Sequence, residues 1–382
     1  MRVSDALRFL LSPTYLMLFG RLLRSQSRSA FEFRGMDLSH VMSSEVFASM
    51  VRVPVDLLYM EAVRRFVTEH QVRDLIHPFF EYSWGKAILY GAADSEFECR
   101  NISIQHGCFA SNLLVAINDP QDFRNHAEGG NGIHLPLATG YYIDGVIPKS
   151  CLAESGYPED RLFALGAPRF DTLGISKEGG VSHEVTEIVA QARNENGRVM
   201  LLVPVPNDMQ QFASFMEDAL ADLNPEECLF LWKFPPNVSQ KGREEFAAQS
   251  PFLAQGHALI VEAPIYHLMN LADTVVTTLS TAGLEALEMG KDVICVSLPG
   301  GLNLSPLIDG GDSVPIVYDP TELSGVSDGL DRTGAGAGKL AGQNITGQVG
   351  NAAERIADHM TCVFLDSDAG FVGEKPGREQ EM

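Results

Sequence analysis

Residues 272–300 read ADTVVTTLSTAGLEALEMGKDVICVSLPG. A β-branched run, 274–279, has the composition of a strand. Ser280, Thr281 and Gly283 follow at its carboxyl end, and LEALEMG opens a helix with Glu285 in the first turn. Gly290 suits a helix C-terminus, and DVICVS is a second buried strand. Two chemistries fit the hydroxyl turn. Ser280 or Thr281 can cap the helix, with Glu285 as a first-turn acid. Alternatively, the turn seats a phosphate on the first helical N–H groups and the two hydroxyls, with Gly283 allowing close backbone approach.

The same alternation extends in both directions. Towards the C-terminus, VPIVYD is a late strand. Towards the N-terminus come a short helix IYHLMNLA, strands HALIVEAP and CLFLWKFPP, an amphipathic helix MQQFASFMEDALADL and a strand RVMLLVPVP. Residues 174–185, GISKEGGVSHEV, carry little apolar weight and read as a linker. Before it stand a helix over 55–70, a short strand VRDLIHPFF reaching a loop at His77-Pro78, and a helix YSWGKAILYGAA. The strand RNISIQHG, a strand GYYIDGVIPKS, a short helix CLAESGY and a strand in RLFALGAPRFDTL complete this half. The pattern predicts an α/β protein with two parallel-sheet domains, 1–173 and 186–323, whose ligands would bind in a cleft beyond the strands' carboxyl ends. A Gly-rich loop (324–350), a final helix (351–366) and a disordered tail (367–382) follow.

At 382 residues and 45% apolar content the chain has material for two cores. Its net charge of −22 repels a nucleic acid backbone, so no sequence-independent grip on DNA or RNA is expected. The six cysteines, at 99, 108, 151, 228, 295 and 362, form no CxxC or Cys/His cluster, which points to a reducing compartment and no metal site. No cleavable signal peptide and no bilayer-length apolar run is visible. Residues 1–34 nevertheless carry six Arg against two acids. Such a helix either packs on its own domain or lies on an anionic membrane surface.

The stretch 272–300 resembles the donor-binding segment of glycosyltransferases of the GT-B fold, in a strand, a Ser/Thr-x-Gly-x-Glu-Ala turn and helix, and a Gly-Lys-x-Val-Ile strand. SIQHG at 103–107 and GAPRFDTL at 166–173 resemble blocks in bacterial surface-polysaccharide enzymes: capsule, sialic acid, Kdo and teichoic-type transferases. The resemblance implies two Rossmann-like domains facing across a cleft. It implies donor contacts from Ser280, Thr281 and Gly283 to phosphate and from Glu285 to a sugar hydroxyl. Lys233 would be a cation near the phosphates, and Tyr266 and His267 would stand beside the nucleotide base. Where the sialic acid, Kdo and teichoic families carry Lys-x-His-Pro, this chain has Lys233-Phe234-Pro235-Pro236, and proline has no side-chain donor. That departure weakens the case for a CMP-linked donor.

On the acceptor side, Glu81 or His106 would be the general base, with Trp84, Gln105 and Gly107 near the acceptor. Each has a structural alternative: a capping acid for Glu81, a hydrogen-bonded turn for His106, core packing for Trp84. The expected activity is metal-independent transfer of a sugar or related unit from a CMP-, CDP- or UDP-linked donor to a glycan or lipid-linked acceptor. No cofactor is expected, and the expected location is the cytoplasm or the inner face of the membrane. A non-hydrolysing nucleotide-sugar 2-epimerase shares the implied fold, and Pro235 also fits a catalytically silent partner in a glycan-assembly complex.

Overall fold

The computed structural model describes residues 39–79, 82–107, 135–171, 181–195, 197–223, 227–300, 303–330 and 350–365, with shorter pieces between. The basic segment 1–34 lies almost wholly outside the described residues, as does the tail 367–382. The chain forms two compact units. One is Met1–Ile104, Asn118–Tyr141 and Asp366–Met382; the other is Gln105–Ile117 and Tyr142–Leu365. Among the described residues no helix is long and apolar enough to cross a membrane.

The first unit begins with a two-residue antiparallel ribbon, β1 (Glu32–Phe33) and β2 (Met36–Asp37), and then a long helix, α1 (Ser39–His70). The expected helix over 55–70 is therefore the second half of a 32-residue one that contains Pro54. Strand β3 (Asp74–Phe79), helix α2 (Ser83–Ala93) and strand β4 (Arg100–Gln105) follow. Helix α1 lies against α2 at Gly91, where any Cβ would collide with the Met60 carbonyl. The expected loop at His77-Pro78 is instead part of β3, an edge strand, where proline is tolerated. Arg100 on β4 grips Asp74 on β3 through two hydrogen bonds of 2.6 and 2.9 Å.

Next come β5 (Gly140–Ile143), α3 (Val146–Glu154) and β6 (Leu162–Ala164), and the sheet order is β3-β4-β5-β6. Helix α3 starts five residues before the expected CLAESGY, because Pro148 falls in its first turn, where proline is tolerated. The second unit continues with α4 (His183–Asn194), β7 (Arg198–Val203), α5 (Met209–Ala219), β8 (Cys228–Trp232), α6 (Gln240–Gln249) and α7 (Pro251–Ala254). It ends with β9 (Ala258–Ile260), α8 (Ile265–Leu271), β10 (Thr274–Thr277), α9 (Ala282–Glu288), β11 (Asp292–Val296), β12 (Ile316–Val317), α10 (Glu322–Leu330) and α11 (Ala352–Met360). Helix α10 occupies the start of the expected Gly-rich loop, because Leu323 is wholly buried in the core beside Val317.

Strands β12-β11-β10-β7-β8-β9 form a six-stranded sheet whose pairings are all parallel. Alternate residues of β7 feed opposite layers. Val199, Leu201 and Val203 join Leu268, Met269, Leu284 and Leu287 on one face. Met200 and Leu202 join Phe212, Phe215, Met216, Trp232 and Phe252 on the other. Period-two alternation with both faces buried is what a near-continuous apolar strand requires. Trp232 and Phe246 stack at 5.9 Å in the second layer, so α6 is held by an aromatic contact.

Helix α11 is tied back over a long sequence distance. Its first residues have no cap of their own, since Asn351 is left-handed and its side chain makes no capping bond. Asp171 supplies the cap: its carboxylate accepts from Ala352 N at 2.7 Å and Ala353 N at 2.8 Å. Arg355 Nε donates to the Leu165 carbonyl at 2.9 Å. Replacing Asp171 with Ala should therefore cost about 1–2 kcal/mol, read as a lower urea midpoint at unchanged slope.

Candidate functional site

The order of the six-stranded sheet reverses between β7 and β10: β8 and β9 extend to one side, β11 and β12 to the other. Ligands of open parallel sheets bind outside the strands' carboxyl ends at such a reversal, because the loops diverge there. Residues 203–206 leaving β7, 233–237 leaving β8, 263–265 entering α8 and 280–282 entering α9 line a cavity of about 530 Å³, with Glu285 in its wall. That volume is in the range of about 300–1,000 Å³ that holds small ligands.

Four of the expected donor residues meet there: Lys233, Ser280, Thr281 and Glu285. The Lys233 backbone N–H donates to Leu202 O at 3.1 Å, which fixes its position at the end of β8. Its ammonium lies 3.8 Å from Glu262, and Arg243 binds the same carboxylate at 2.6 Å. Pro235 and Pro236 form part of the wall where the resembled families place a histidine, so these two positions offer no side-chain donor, whereas Lys233 and Asn237 on either side carry one.

Of the two roles read from the sequence, the turn shows the capping one. The Ser280 hydroxyl accepts from Ala282 N at 3.2 Å, as a cap does. Gly283 N donates to Ser280 O, while Leu284 N and Glu285 N both donate to Thr281 O. Thr281 already has helical angles, φ −61° and ψ −16°, so these short-range bonds close within the turn. The row of open amides expected at the helix start is thus engaged internally. The polar side chains that line the cavity are the Ser280 and Thr281 hydroxyls, the Lys233 ammonium, the Asn237 amide and the Glu285 carboxyl.

Gly283 does not face the cavity. A Cβ there would lie 2.6 Å from Leu307 Cδ1 and 3.1 Å from Thr277 Cγ2. Packing behind the turn accounts for this glycine, not approach of a ligand. Tyr266 and His267 lie on α8 but are not among the lining residues; their neighbour Ile265 is.

Burial pushes the Glu285 carboxyl up to about 7, and the nearby Arg169 guanidinium pulls it in the opposite direction. Arg169 was visible only as part of GAPRFDTL, with no role attached. The structure shows it bound by both terminal nitrogens to Asp144, whose side chain is 1% exposed. The Asp144 backbone N–H in turn donates to Gln105 Oε1 at 3.0 Å, while Gln105 Nε2 donates to Gly107 O at 2.9 Å. Gln105 therefore braces the His-Gly turn and both ends of its amide are occupied. No feature of the local sequence could have revealed the Asp144–Arg169 pair, because its partners are 25 residues apart.

His106 is exposed and Trp84 is half-buried, and neither lines the cavity. A Cβ at Gly107 would meet nothing within 4 Å, so the packing there does not require glycine. Glu81 lies outside the described residues. Among the described residues, no group of three His, Cys, Asp or Glu is placed to hold a metal ion.

Comparison with known proteins bears on the fold. Residues 203–299 match the family model described as capsule polysaccharide biosynthesis protein. No curated protein matches the chain. Among solved structures, the S. aureus MnaA–UDP complex aligns over 84% of this chain and 82% of its own at 12% identity and a TM-score of 0.55. The Methanocaldococcus jannaschii UDP-GlcNAc 2-epimerase solved with UDP-GlcNAc and UDP covers 81% of both chains at 12% identity and TM-score 0.53. A glycosyltransferase from Rickettsia africae covers 81% of this chain and 82% of its own at 13% identity and TM-score 0.50. The fold is thus the two-sheet α/β fold of these proteins, as the sequence resemblance implied.

The displaced carboxyl gives a test. A carboxyl whose pKa rises from 4.5 to about 7 on folding binds more protons in the folded chain across that interval. Its contribution therefore becomes less favourable as pH rises from about 4.5 to 7, and changes little above. Glu285→Gln removes this cost. The stability gain of the variant over the parent should grow across that window to at most about 3 kcal/mol and then level off. Chemical denaturation at a series of pH values measures it; a gain independent of pH would show that Glu285 is not displaced.

Proposed function

We propose that this protein is a glycosyltransferase that takes a sugar or related unit from a nucleotide-linked donor and passes it to a glycan or lipid-linked acceptor in surface-polysaccharide assembly. The observation that supports this best is the cavity at the sheet reversal, where Lys233, Ser280, Thr281 and Glu285 converge. The match of residues 203–299 to a capsule-polysaccharide family model covers the same region.

In this reading the donor's phosphates accept hydrogen bonds from the Ser280 and Thr281 hydroxyls and lie near the Lys233 ammonium. These groups are fixed before the reaction, so they stabilise charge on the departing phosphate without reorganising. No metal is required for that role. The Glu285 carboxylate accepts from a sugar hydroxyl of the nucleotide, and the apolar walls from Pro204, Pro206 and Ile265 hold its base. On the acceptor side, Glu81 or His106 removes the proton from the attacking hydroxyl. Transfer would occur in the cytoplasm, with the basic segment 1–34 docking the enzyme beside a lipid-linked acceptor.

Saturation-transfer NMR with CMP, CDP, UDP and GDP tests the donor site directly. One or more of these should bind, and Ser280→Ala and Lys233→Ala should each weaken that ligand about tenfold. If none of the four binds, the chain is a silent member of an assembly complex rather than a transferase. If a nucleotide sugar is converted with no acceptor present, the reaction is epimerisation, as in the neighbouring folds. Release of free nucleotide only with an acceptor establishes transfer.

A further inference from the structure

Helix α1 carries an apolar stripe on its solvent side. Arg52, Val55, Tyr59, Ala62, Phe66 and Glu69 are all exposed and succeed one another at steps of three and four residues. Val55, Tyr59 and Phe66 are 48%, 49% and 49% exposed, against 0% for Val67 on the inner side of the same helix. Steps of three and four place all six on one narrow seam, the repeat that pairs a helix with another helix. Large apolar side chains in such a row, with charged residues at both ends, mark an interaction surface rather than isolated exposed residues.

The stripe is complementary to itself when reversed. A second copy running antiparallel, related by a two-fold axis between Met60 and Glu61, sets Tyr59 opposite Ala62 and Val55 opposite Phe66. The same register sets Arg52 opposite Glu69 at each end. Large faces small in the central layer, apolar faces apolar in the next, and opposite charges meet at the rim. A two-fold interface requires this property, because one patch must match its own rotated image. A parallel pairing would set Arg52 against Arg52 and Glu69 against Glu69.

We propose that this face of α1 is a self-association surface, at which two copies of the chain pair α1 against α1 antiparallel about residues 60–61. The seam is about 25 Å long at 1.5 Å per residue. A helix is about 10 Å wide, so each copy contributes less than the roughly 800 Å² per partner of a standard interface. An interface of that size belongs with the weak, transient ones, so the dimer is expected to be reversible.

Sedimentation equilibrium of the full chain from about 1 to 100 µM tests this. The parent chain should shift from monomer to dimer across the range. Phe66→Glu sets a carboxylate against Val55 of the other copy and should leave only monomer, with circular dichroism and unfolding midpoint unchanged. Arg52→Glu and Glu69→Arg should each weaken association about tenfold by placing like charges opposite, and combining them should restore it. Orientation is read by oxidative cross-linking. Ala62→Cys lies near the axis and should give a covalent dimer absent from the parent, whereas Val55→Cys, far from its symmetry mate, should not. A parent that stays monomeric to 100 µM overturns the proposal, as does a charge swap that fails to restore association, or cross-linking at both positions. Binding of the monomer to anionic phosphatidylglycerol vesicles, lost in Phe66→Glu, would assign the face to lipid instead and overturn it equally.

Discussion

The second unit depends on a strand that has no solvent face. Every residue of β7 after Arg198 is buried, and its neighbours β8 and β10 continue the dry layer on both sides. Backbone groups in such a layer have no water to turn to, so the parallel ladder must be complete and helices must cover both faces. Crossover connections follow from that requirement, and they carry the chain outward from β7 in two directions. The divergence of those connections opens the cavity. The site is thus a consequence of how the core is built, not an addition to it.

The electrostatics of the cavity follow from the same enclosure. In a protein with a net charge of −22, the few cations near the cavity are each held by a carboxylate. Lys233 is held at the end of β8 and shares Glu262 with Arg243. Arg169 is held by Asp144, a buried carboxylate that would be costly without its partner. Glu285 has less compensation, and burial raises its pKa to about 7. A carboxyl balanced near neutrality can answer to a ligand hydroxyl by ionising, which a surface glutamate already ionised cannot do.

Much of the fold was legible in the residue order. The apolar runs at 198–203, 228–232, 274–277 and 292–296 are too short for buried helices, rich in β-branched or large apolar residues, and separated by helical stretches. Of the candidate donor residues, Lys233, Ser280, Thr281 and Glu285 sit together because each closes or follows a strand of one sheet. Elements whose existence depends on distant contacts were not legible. Helices α6 and α10 were not read from the sequence and are held by Phe246 on Trp232 and by Leu323 in the core. Gly283 was legible as a glycine but not as to its reason, since Leu307 is the atom set that excludes a side chain.

The chain's sequence by itself determined the class of fold, the alternation of its second half and the identity of the hydroxyl turn after 274–277, because these rest on local periodicity and on residue type at strand ends. Tertiary structure alone decided which hydroxyl-turn amides are already engaged, that Asp144 holds Arg169, that Asp171 caps a helix 181 residues away, and that Val55, Tyr59 and Phe66 of α1 stand about half exposed. The physical reason is range. Hydrophobic periodicity and capping act over a few residues and can be read in order, whereas desolvation and ion pairing depend on which distant segments share a volume.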